Sequence, residues 1–468
     1  MKSSRTDFRA QSIEPSLKSG SLDLGQQAER IDRVPGETRG SDSRYECPLA
    51  PLRLQMGPIS LFDKSFLQSI SLDEAVWFDR FFMPVACPIF FVETLADLGK
   101  DPSKRGSAEF SVVKDIAQKF PEMGGSPCSF HAEIATQDLL GNHMPMDGRI
   151  PRSGGRPVPK GVVFELGPEE VAFNRWQKGE FYDVEKISAA VWRKSLAELD
   201  LNKVASELRS VGIDGKSCKT LDQARDMAQA VVSNATQAMS VLALAVTFLH
   251  VPQHLHGPII EAWKREGRRP LNVFAPYAAH VVAVEVFFQF ALAAHLIASN
   301  RPSNRTDIAY LFYLPFCSLF ISSDSLHRRT APLFMRSNQE FVWGVDLKAG
   351  LRAVNAHFLQ LPEQVREGGV MSFAHAPPDG TIVADLWDRH LRPGYRTEVN
   401  QPRESSPERD AELIKSFKEF RKQQTLPPDK ATDIDDSEML SIAHSVHRKR
   451  GSWWQVPKDM PDPQDDDE

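Results

Sequence analysis

The sequence has few cysteines and no pattern among them. Its 468 residues hold five, and none belongs to a Cys-x-x-Cys pair; they are Cys47, Cys87, Cys128, Cys218 and Cys317. An odd count without paired spacing, behind a polar N-terminal stretch with no secretion signal, predicts reduced thiols and a cytoplasmic location. Cys87 and Cys317 lie in apolar stretches and are expected only to pack.

Several sequence motifs are also missing. There is no phosphate-binding loop, no Gly-x-Gly-x-x-Gly after a strand and no Gly-x-Ser-x-Gly, which argues against nucleotide-binding and serine-hydrolase classes. One apolar run, from Val281 to Ala298, is long enough to cross a membrane, but Glu285, Gln289 and His295 interrupt it. We therefore expect a buried core helix and no membrane association.

The overall composition is that of an ordinary globular protein, with 41% apolar and 25% charged residues. The net charge is −6, and residues 401–468 carry five of those six charges. The rest of the chain is nearly neutral, so net charge neither predicts nor excludes a nucleic-acid partner. Oligomeric state is not predicted either.

The chain divides into five parts. Residues 1–48 are predicted to be disordered because they have few apolar anchors. Residues 49–98 and 300–361 form a discontinuous α/β core, and 99–299 form an insertion that is loop-rich at first and then helical. Residues 362–399 are a C-terminal extension. The acidic tail, 400–468, is expected to be mostly disordered, with two segments able to dock: Ile414 to Phe420, and Trp453-Trp454.

The first core part places two acids next to apolar runs. Asp63 follows the short run Ile59-Ser60-Leu61-Phe62, which predicts a strand ending in an acid. Glu93 lies inside the apolar run of a helix that begins near Pro88. An unpaired carboxylate in such surroundings costs several kcal/mol, so Glu93 is expected to have a partner or a bound cation.

The second core part repeats this arrangement. Asp307 stands where a helix N-cap is expected, and Pro315 is predicted to end that helix. A buried strand from Phe316 to Ile321 then leads through Ser322 to another acid, Asp324. Helix, buried strand and an acid at the strand's carboxyl end are typical of an open parallel α/β sheet, where ligands gather beyond the carboxyl ends of the strands.

These acids, in this order, resemble those of the PIN-like nucleases. The resemblance rests on Ile59 to Ser65, on Glu93 in its apolar helix, and on Asp307 followed by Ser322-Ser323-Asp324. It implies a PIN-like open parallel sheet flanked by helices, with the four acids as catalytic residues and as ligands of Mg²⁺ or Mn²⁺. It also implies cleavage of RNA phosphodiesters, with Ser65, Asp97 and Ser322 in supporting positions.

The sequence departs from the family between Glu93 and Asp307, where it has some two hundred residues in place of a few dozen. A second hypothesis is therefore a PIN-like binding or scaffold protein without turnover. Each acid also has a purely structural alternative. Asp307 and Asp324 would cap helices, Asp63 would be an ordinary loop residue, and Glu93 would form a buried salt bridge with an arginine.

Basic and metal-binding alternatives are weaker. Arg328-Arg329, directly after Asp324, are predicted to bind substrate phosphates, and Lys264-Arg265 with Arg268-Arg269 more often form a solvated face. His250, His254 and His256, with Cys128 and His131, could supply zinc ligands, but their spacing is not that of a paired zinc site.

The sharpest structural prediction is that residues 50–98 pair with residues 300–345 in one parallel sheet. Neither apolar strand can be buried alone, because parallel strands need cover on both faces. Phe62 and Phe320 should therefore share a sheet. The insertion should pack beside the acids as a helical lid, with Arg149, Arg152 and Arg156 facing them.

Overall fold

The computed structural model describes residues 57–99, 110–122, 126–152, 155–158, 161–164, 168–210, 218–400 and 447–459. Three features of the sequence lie outside these residues. They are the segment 1–48, which is predicted to be disordered, Cys47, and the possible docking segment Ile414 to Phe420.

The strands in chain order are β1 (Ile59–Phe62), β2 (Met83–Ala86), β3 (Ser126–Pro127), β4 (Gly155–Val158), β5 (Gly161–Phe164), β6 (Leu319–Ser322), β7 (Glu340–Trp343), β8 (Lys449–Arg450) and β9 (Trp453–Trp454). The strand pairs β4–β5 and β8–β9 each form a small antiparallel ribbon.

The helices are α1 (Lys64–Ser69), α2 (Leu72–Phe81), α3 (Pro88–Leu95), α4 (Ser111–Lys119), α5 (His131–Leu139), α6 (Pro168–Lys178), α7 (Asp183–Glu198), α8 (Leu201–Ser210), α9 (Leu221–Val232), α10 (Ala238–Phe248), α11 (Gln253–Arg265), α12 (Leu271–Phe274), α13 (Pro276–Ala293), α14 (Asn304–Ala309), α15 (Ser325–Thr330), α16 (Gly344–Phe358), α17 (Glu363–Glu367), α18 (Val370–Phe373), α19 (Ile382–His390) and α20 (Tyr395–Asn400). Short 3₁₀ helices cover Ala96–Gly99, Tyr310–Phe316 and Ala331–Leu333.

The remaining five strands form one parallel sheet in the order β3-β2-β1-β6-β7. The chain starts in the middle at β1 and extends the sheet on one side through β2 and β3. After β3 ends at Pro127 it returns only at Leu319, to add β6 and β7 on the other side. The switch point, where the chain order reverses, therefore lies between β1 and β6. In open α/β sheets ligands bind beyond the carboxyl ends of the strands at this point.

The two distant core parts share this sheet, as the sequence predicts. Leu61 pairs with Phe320, and Phe62 pairs with Ile321. Every residue of β6 is buried, and Leu61 and Phe62 have no exposed surface. Cover on both faces is what parallel strands require, and it explains why the strands are continuously apolar.

Some predicted boundaries are wrong. Helix α14 begins at Asn304 with Ser303 before it, so Asp307 lies inside the helix and is not its N-cap. Pro315 does not end the helical segment, because a 3₁₀ helix runs on through Phe316, and the strand begins only at Leu319. The shorter hydrogen-bond spacing of a 3₁₀ helix leaves the missing proline N–H less costly than it would be in a long α-helix.

The stretch after residue 99 is less irregular than predicted. It contains two helices, α4 and α5, and the two-residue strand β3 that extends the core sheet. The apolar spacing from Val184 to Leu199 predicts a helix with Ile187, Ala190, Val191, Leu196 and Leu199 on one face. In α7, however, Ile187 is 63% exposed and Val191 45%, whereas the smaller Ala189 is buried. Hydrophobic spacing alone did not identify the face that packs.

The segment 447–459 packs on the core. Trp453 is fully buried, with its ring 4.6 Å from that of Trp77, and both indole N–H groups donate to Asn355 Oδ1 at 2.8 Å. Arg450 is also buried and pairs with Asp79 at 3.1 Å. The part of the tail around Trp453 is thus a component of the folded unit.

Helix α13 is long and apolar enough to cross a membrane, but 78% of that stretch is buried inside the protein. It packs against helices of the insertion, among them α5, α8 and α9, as the core helix expected from the sequence would. The cysteines within the described residues are buried free thiols.

Phe62 should be a main determinant of core stability. It is fully buried, with its ring 5.0 Å from Phe90 and 5.6 Å from Phe78. Replacing it with alanine should lower the free energy of unfolding by about 3–5 kcal/mol, because a cavity remains. Val345→Ala, at a 55% exposed position, should change it by less than about 0.5 kcal/mol. Urea unfolding of both variants measures this, and equal small effects would contradict the packing described.

Candidate functional site

Asp63 is the buried centre of the switch point. It directly follows β1, caps α1 by accepting the Phe66 N–H at 2.9 Å, and also accepts the Ser65 hydroxyl at 2.7 Å. From the end of β6, 259 positions away in sequence, the Ser322 hydroxyl donates to Asp63 at 2.7 Å. The two strand ends are therefore joined by a direct side-chain hydrogen bond.

His327 completes this network from α15. Its Nδ1 lies 2.8 Å from Ser322 Oγ and 3.3 Å from Asp63 Oδ2, and its Nε2 lies 2.7 Å from the carbonyl oxygen of Asp307. Ser322 Oγ already donates to Asp63, so it accepts from Nδ1. Both ring nitrogens then act as donors, which is the arrangement of a protonated imidazolium.

The pKa shifts of this pair agree with that geometry. Burial alone would lower the pKa of His327, but the hydrogen bond and charge of Asp63, with the charge and carbonyl of Asp307, raise it to about 9. Burial would raise the pKa of Asp63, but the hydrogen bond and charge of His327, with the other donors, hold it below its usual value. Asp63 and His327 are thus a buried ion pair at neutral pH.

Glu93 has a charged partner, as expected, but the partner is Lys64 and not an arginine. The Lys64 ammonium lies 3.1 Å from Glu93 Oε1 and 3.4 Å from Asp97 Oδ1. It also donates to the Glu93 carbonyl oxygen at 3.1 Å. The Tyr310 hydroxyl donates to Glu93 Oε2 at 2.8 Å. Both acids of this helix end are therefore held by one nearly buried cation.

Asp307 faces the same region with a different environment. Within the described residues its carboxylate makes no hydrogen bond or ion pair, although its backbone carbonyl accepts from His327. Burial raises the pKa of Asp307 to about 7; the charge of His327 opposes this, and the charges of Asp324, Glu93 and Asp63 add to it. The charges of the other three predicted acids therefore act on Asp307 and favour its protonated form.

Asp324 has the capping role considered for it. It precedes α15, and its Oδ1 accepts the Leu326 N–H at 2.6 Å. Its own N–H donates to Ser322 Oγ at 2.9 Å. The predicted supporting residue Ser65 also reaches this loop, where its hydroxyl accepts the Ser323 N–H at 3.2 Å.

A cleft of about 380 Å³ opens beside these acids. Its lining combines the end of α3, the start of α14 and the middle of α7: Lys64, Glu93, Ala96, Asp97, Trp192, Arg193, Leu196, Pro302, Ser303, Thr306 and Asp307. Of the four predicted ligands, Glu93 and Asp307 line the cleft. Asp63 and Asp324 do not line it.

The predicted phosphate-binding pair Arg328 and Arg329 lies outside this cleft. Both side chains are exposed; Arg328 lies over the ring of Trp343 at 5.0 Å, and Arg329 donates to the Leu296 carbonyl at 3.2 Å.

Of the arginines expected on the insertion's inner side, Arg149 and Arg152 are also outside the cleft lining. Arg149 is exposed and pairs with Asp147 at 2.6 Å, and Arg152 is exposed. For Arg156 the backbone pairs with Val163 in the β4–β5 ribbon.

No group of three or more His, Cys, Asp or Glu side chains is arranged to hold a metal ion among the residues that the structure describes. This covers the four acids as they stand and also His250, His254, His256, Cys128 and His131. The oxygen donors suit Mg²⁺ or Mn²⁺ by their chemistry, but protein donors occupy Asp63, Glu93 and Asp324 in this arrangement.

Sequence reasoning missed Lys64, His327, Tyr310, Trp192 and Arg193. For two of them a sequence clue exists. Lys64 directly follows Asp63 at a strand end, and His327 lies three residues after Asp324, at the spacing that turns a side chain back over a helix start. Trp192 and Arg193 belong to the insertion, and nothing in the local sequence places α7 against the acids.

Comparison with known proteins gives no match: no protein-family model, no curated protein and no solved structure is significantly similar to this chain.

The His327–Asp63 pair should make stability depend on pH. A pKa raised in the folded state, to about 9 from 6.5, stabilises the fold fully below pH 6.5 and progressively less as pH rises through 9. The difference in unfolding free energy between the wild type and His327→Gln should therefore be largest at pH 6 and shrink by pH 9.5. Urea titrations at several pH values measure it, with the exposed His357→Gln as control. A difference that stays constant from pH 6 to 9.5 would show that His327 is not the charged partner of Asp63.

Proposed function

We propose that this protein is a PIN-like, metal-dependent nuclease that hydrolyses RNA phosphodiesters in the cleft beside the switch point. One observation carries the proposal: β1 and β6 are neighbours, and their carboxyl ends bring Asp63 within 2.7 Å of the Ser322 hydroxyl. Glu93 and Asp307 come from helices next to the same edge of the sheet. This is the place where an open parallel sheet binds ligands, and it agrees with the arrangement that the resemblance implies.

The proposed ligands of Mg²⁺ or Mn²⁺ are Asp63, Glu93, Asp307 and Asp324. Hard divalent cations take oxygen donors, and Mg²⁺ retains several waters beside a few carboxylates. What such an ion supplies is a lowered pKa of water and neutralisation of the charge that develops on the phosphate. Lys64 must leave Glu93 for that carboxylate to serve, because its ammonium now lies 3.1 Å from Glu93 Oε1.

The chain's own residues have separate tasks in this proposal. Asp307 lines the cleft, and burial raises its pKa to about 7 in the ion-free state, so its ionised form gains from a bound cation. His327 remains cationic and holds the α14 backbone through the Asp307 carbonyl. Ser65 and Ser322 orient Asp63. Cation binding lowers the pKa of neighbouring carboxylates, so the Asp307 value belongs to the ion-free state.

The purified protein should cleave a single-stranded RNA in Mn²⁺ or Mg²⁺ and lose this activity in EDTA. Asp307→Asn and Asp324→Asn should each reduce the cleavage rate at least a hundredfold, about the loss of one electrostatic contributor to a transition state. Asp385→Asn, at an exposed acid on α19, is the matched control and should cleave like the wild type. Cleavage that survives EDTA and both substitutions would refute the proposal.

The second candidate is a binding or scaffold protein that has the same fold and no turnover. The observation that favours it is the occupation of the acids by protein groups. Lys64 shares its one positive charge between Glu93 and Asp97, and His327 pairs with Asp63. A carboxylate that already has a cationic partner needs no metal ion for its burial.

Lys64→Gln separates the two candidates. Removing one partner of a nearly buried ion pair leaves Glu93 and Asp97 uncompensated and should cost about 3–5 kcal/mol. If the acids can hold a cation, Mn²⁺ should raise the melting temperature of Lys64→Gln more than that of the wild type, because the ion replaces the ammonium. Lys119→Gln, which removes a buried lysine from a pair with Asp115, is the control. A Mn²⁺ shift no larger in Lys64→Gln than in Lys119→Gln would favour the scaffold candidate.

A further inference from the structure

Helix α7 of the insertion forms one wall of the cleft. It packs against α3 and the 3₁₀ helix Ala96–Gly99, which carry Glu93 and Asp97. From this position it presents Trp192, Arg193 and Leu196 to the cleft lining. The insertion is thus a direct part of the site, although it comes from outside the α/β core.

Trp192 is the most exposed of the eight tryptophans, at 37%. Trp343 and Trp454 are half-buried, and the other five are buried. The place of Trp192 in the lining of the cleft, rather than its exposure alone, makes it a candidate for ligand contact. An exposed indole on the rim of a polar cleft offers its face to a flat ligand.

Arg193 follows Trp192 in the sequence, is also exposed and also lines the cleft. Among the described residues it makes no hydrogen bond, ion pair or ring contact. Arginine is well suited to phosphate oxygens, because its planar donors can bind two of them together. A cation without a partner among the described residues, in the same cleft lining as an exposed aromatic ring, is a combination that proteins use to bind single-stranded nucleic acid.

We propose that Trp192 and Arg193 form a binding wall for single-stranded RNA, with a base stacked on Trp192 and a neighbouring phosphate on Arg193. The inference rests on the proposed function for the substrate class and deepens it by assigning the residues that hold the substrate. A cleft of about 380 Å³ is at the small end of ligand sites and accommodates a single nucleotide unit. A duplex keeps its bases stacked on each other, so it offers no base face to Trp192.

The two walls of the cleft then have different tasks. Glu93, Asp97 and Asp307 lie on the core side, with Lys64 between the first two. Trp192 and Arg193 lie on the insertion side and carry no negative charge. Phosphate held by Arg193 would face the acids across the cleft.

Binding of a fluorescein-labelled oligouridylate, measured by anisotropy in EDTA, tests this without hydrolysis. Trp192→Ala should weaken binding roughly fivefold to a hundredfold, the usual loss of one base–aromatic stack, and Trp192→Phe should recover most of it. Arg193→Gln should weaken binding and reduce the slope of log affinity against log salt by about 0.7, the value for one phosphate contact on a single strand. Lys194→Gln removes the same charge from the same helix at a position outside the cleft lining, so it should bind like the wild type.

The outcomes separate this inference from the proposed function. Binding that depends on Trp192 and Arg193, without cleavage in Mn²⁺, supports the wall and refutes the nuclease. Cleavage in Mn²⁺ with binding unchanged in both variants overturns the wall and leaves the nuclease. No binding by the wild type, or equal binding of the oligouridylate annealed to oligoadenylate, also overturns the wall. Circular dichroism melting of each variant confirms that the exposed substitutions leave the fold intact.

Discussion

The arrangement of the side chains at the carboxyl ends of the parallel strands depends on one buried group. This group is the Asp63 carboxylate, which lies between two strands that are distant in sequence. A carboxylate that is only 3% exposed costs several kcal/mol unless donors surround it. Here the donors come from three places: its own turn through Ser65 and Phe66, strand β6 through Ser322, and α15 through His327. Satisfying this one group fixes the register of β1 on β6. Because His327 also bonds the Asp307 carbonyl, the same requirement holds α14 over the strand ends.

The next residue, Lys64, extends the argument to the other acids. It leaves α1 in the direction of α3 and places its ammonium between Glu93 and Asp97. Its charge lets two acids remain in a weakly solvated position, as His327 does for Asp63. Asp307 has no such compensation among the described residues, and burial with the neighbouring negative charges raises its pKa to about 7. Of the four predicted acids, Asp63 and Glu93 have a cationic partner and Asp324 caps a helix, so Asp307 is where an added cation or a proton would be most favourable.

The sequence was sufficient for the α/β class, the joining of the two core parts and the positions of Asp63, Glu93 and Asp324 relative to strands and helices. Those predictions depend on short-range patterns, namely an apolar run followed by an acid. The predictions about α14 and Pro315 were wrong because Ser303 precedes the helix and the segment after it is 3₁₀ rather than α. The partners of the acids could not be predicted, since Lys64 meets Asp97 and Ser322 meets Asp63 only through tertiary packing. The prediction of the packed face of α7 was wrong for the same reason.

The face of α7 that packs on the core differs from the predicted face, and the physical reason concerns the candidate site. Helix α7 buries a small residue, Ala189, and leaves Ile187 and Val191 exposed, so its orientation is not set by its largest apolar residues. Its packing partners in the core are α3 and the 3₁₀ helix Ala96–Gly99. This orientation brings Trp192 and Arg193 over the acids of the core. A helix that maximised its own apolar burial would have turned these two side chains elsewhere, and the cleft would have lost the wall that faces its carboxylates.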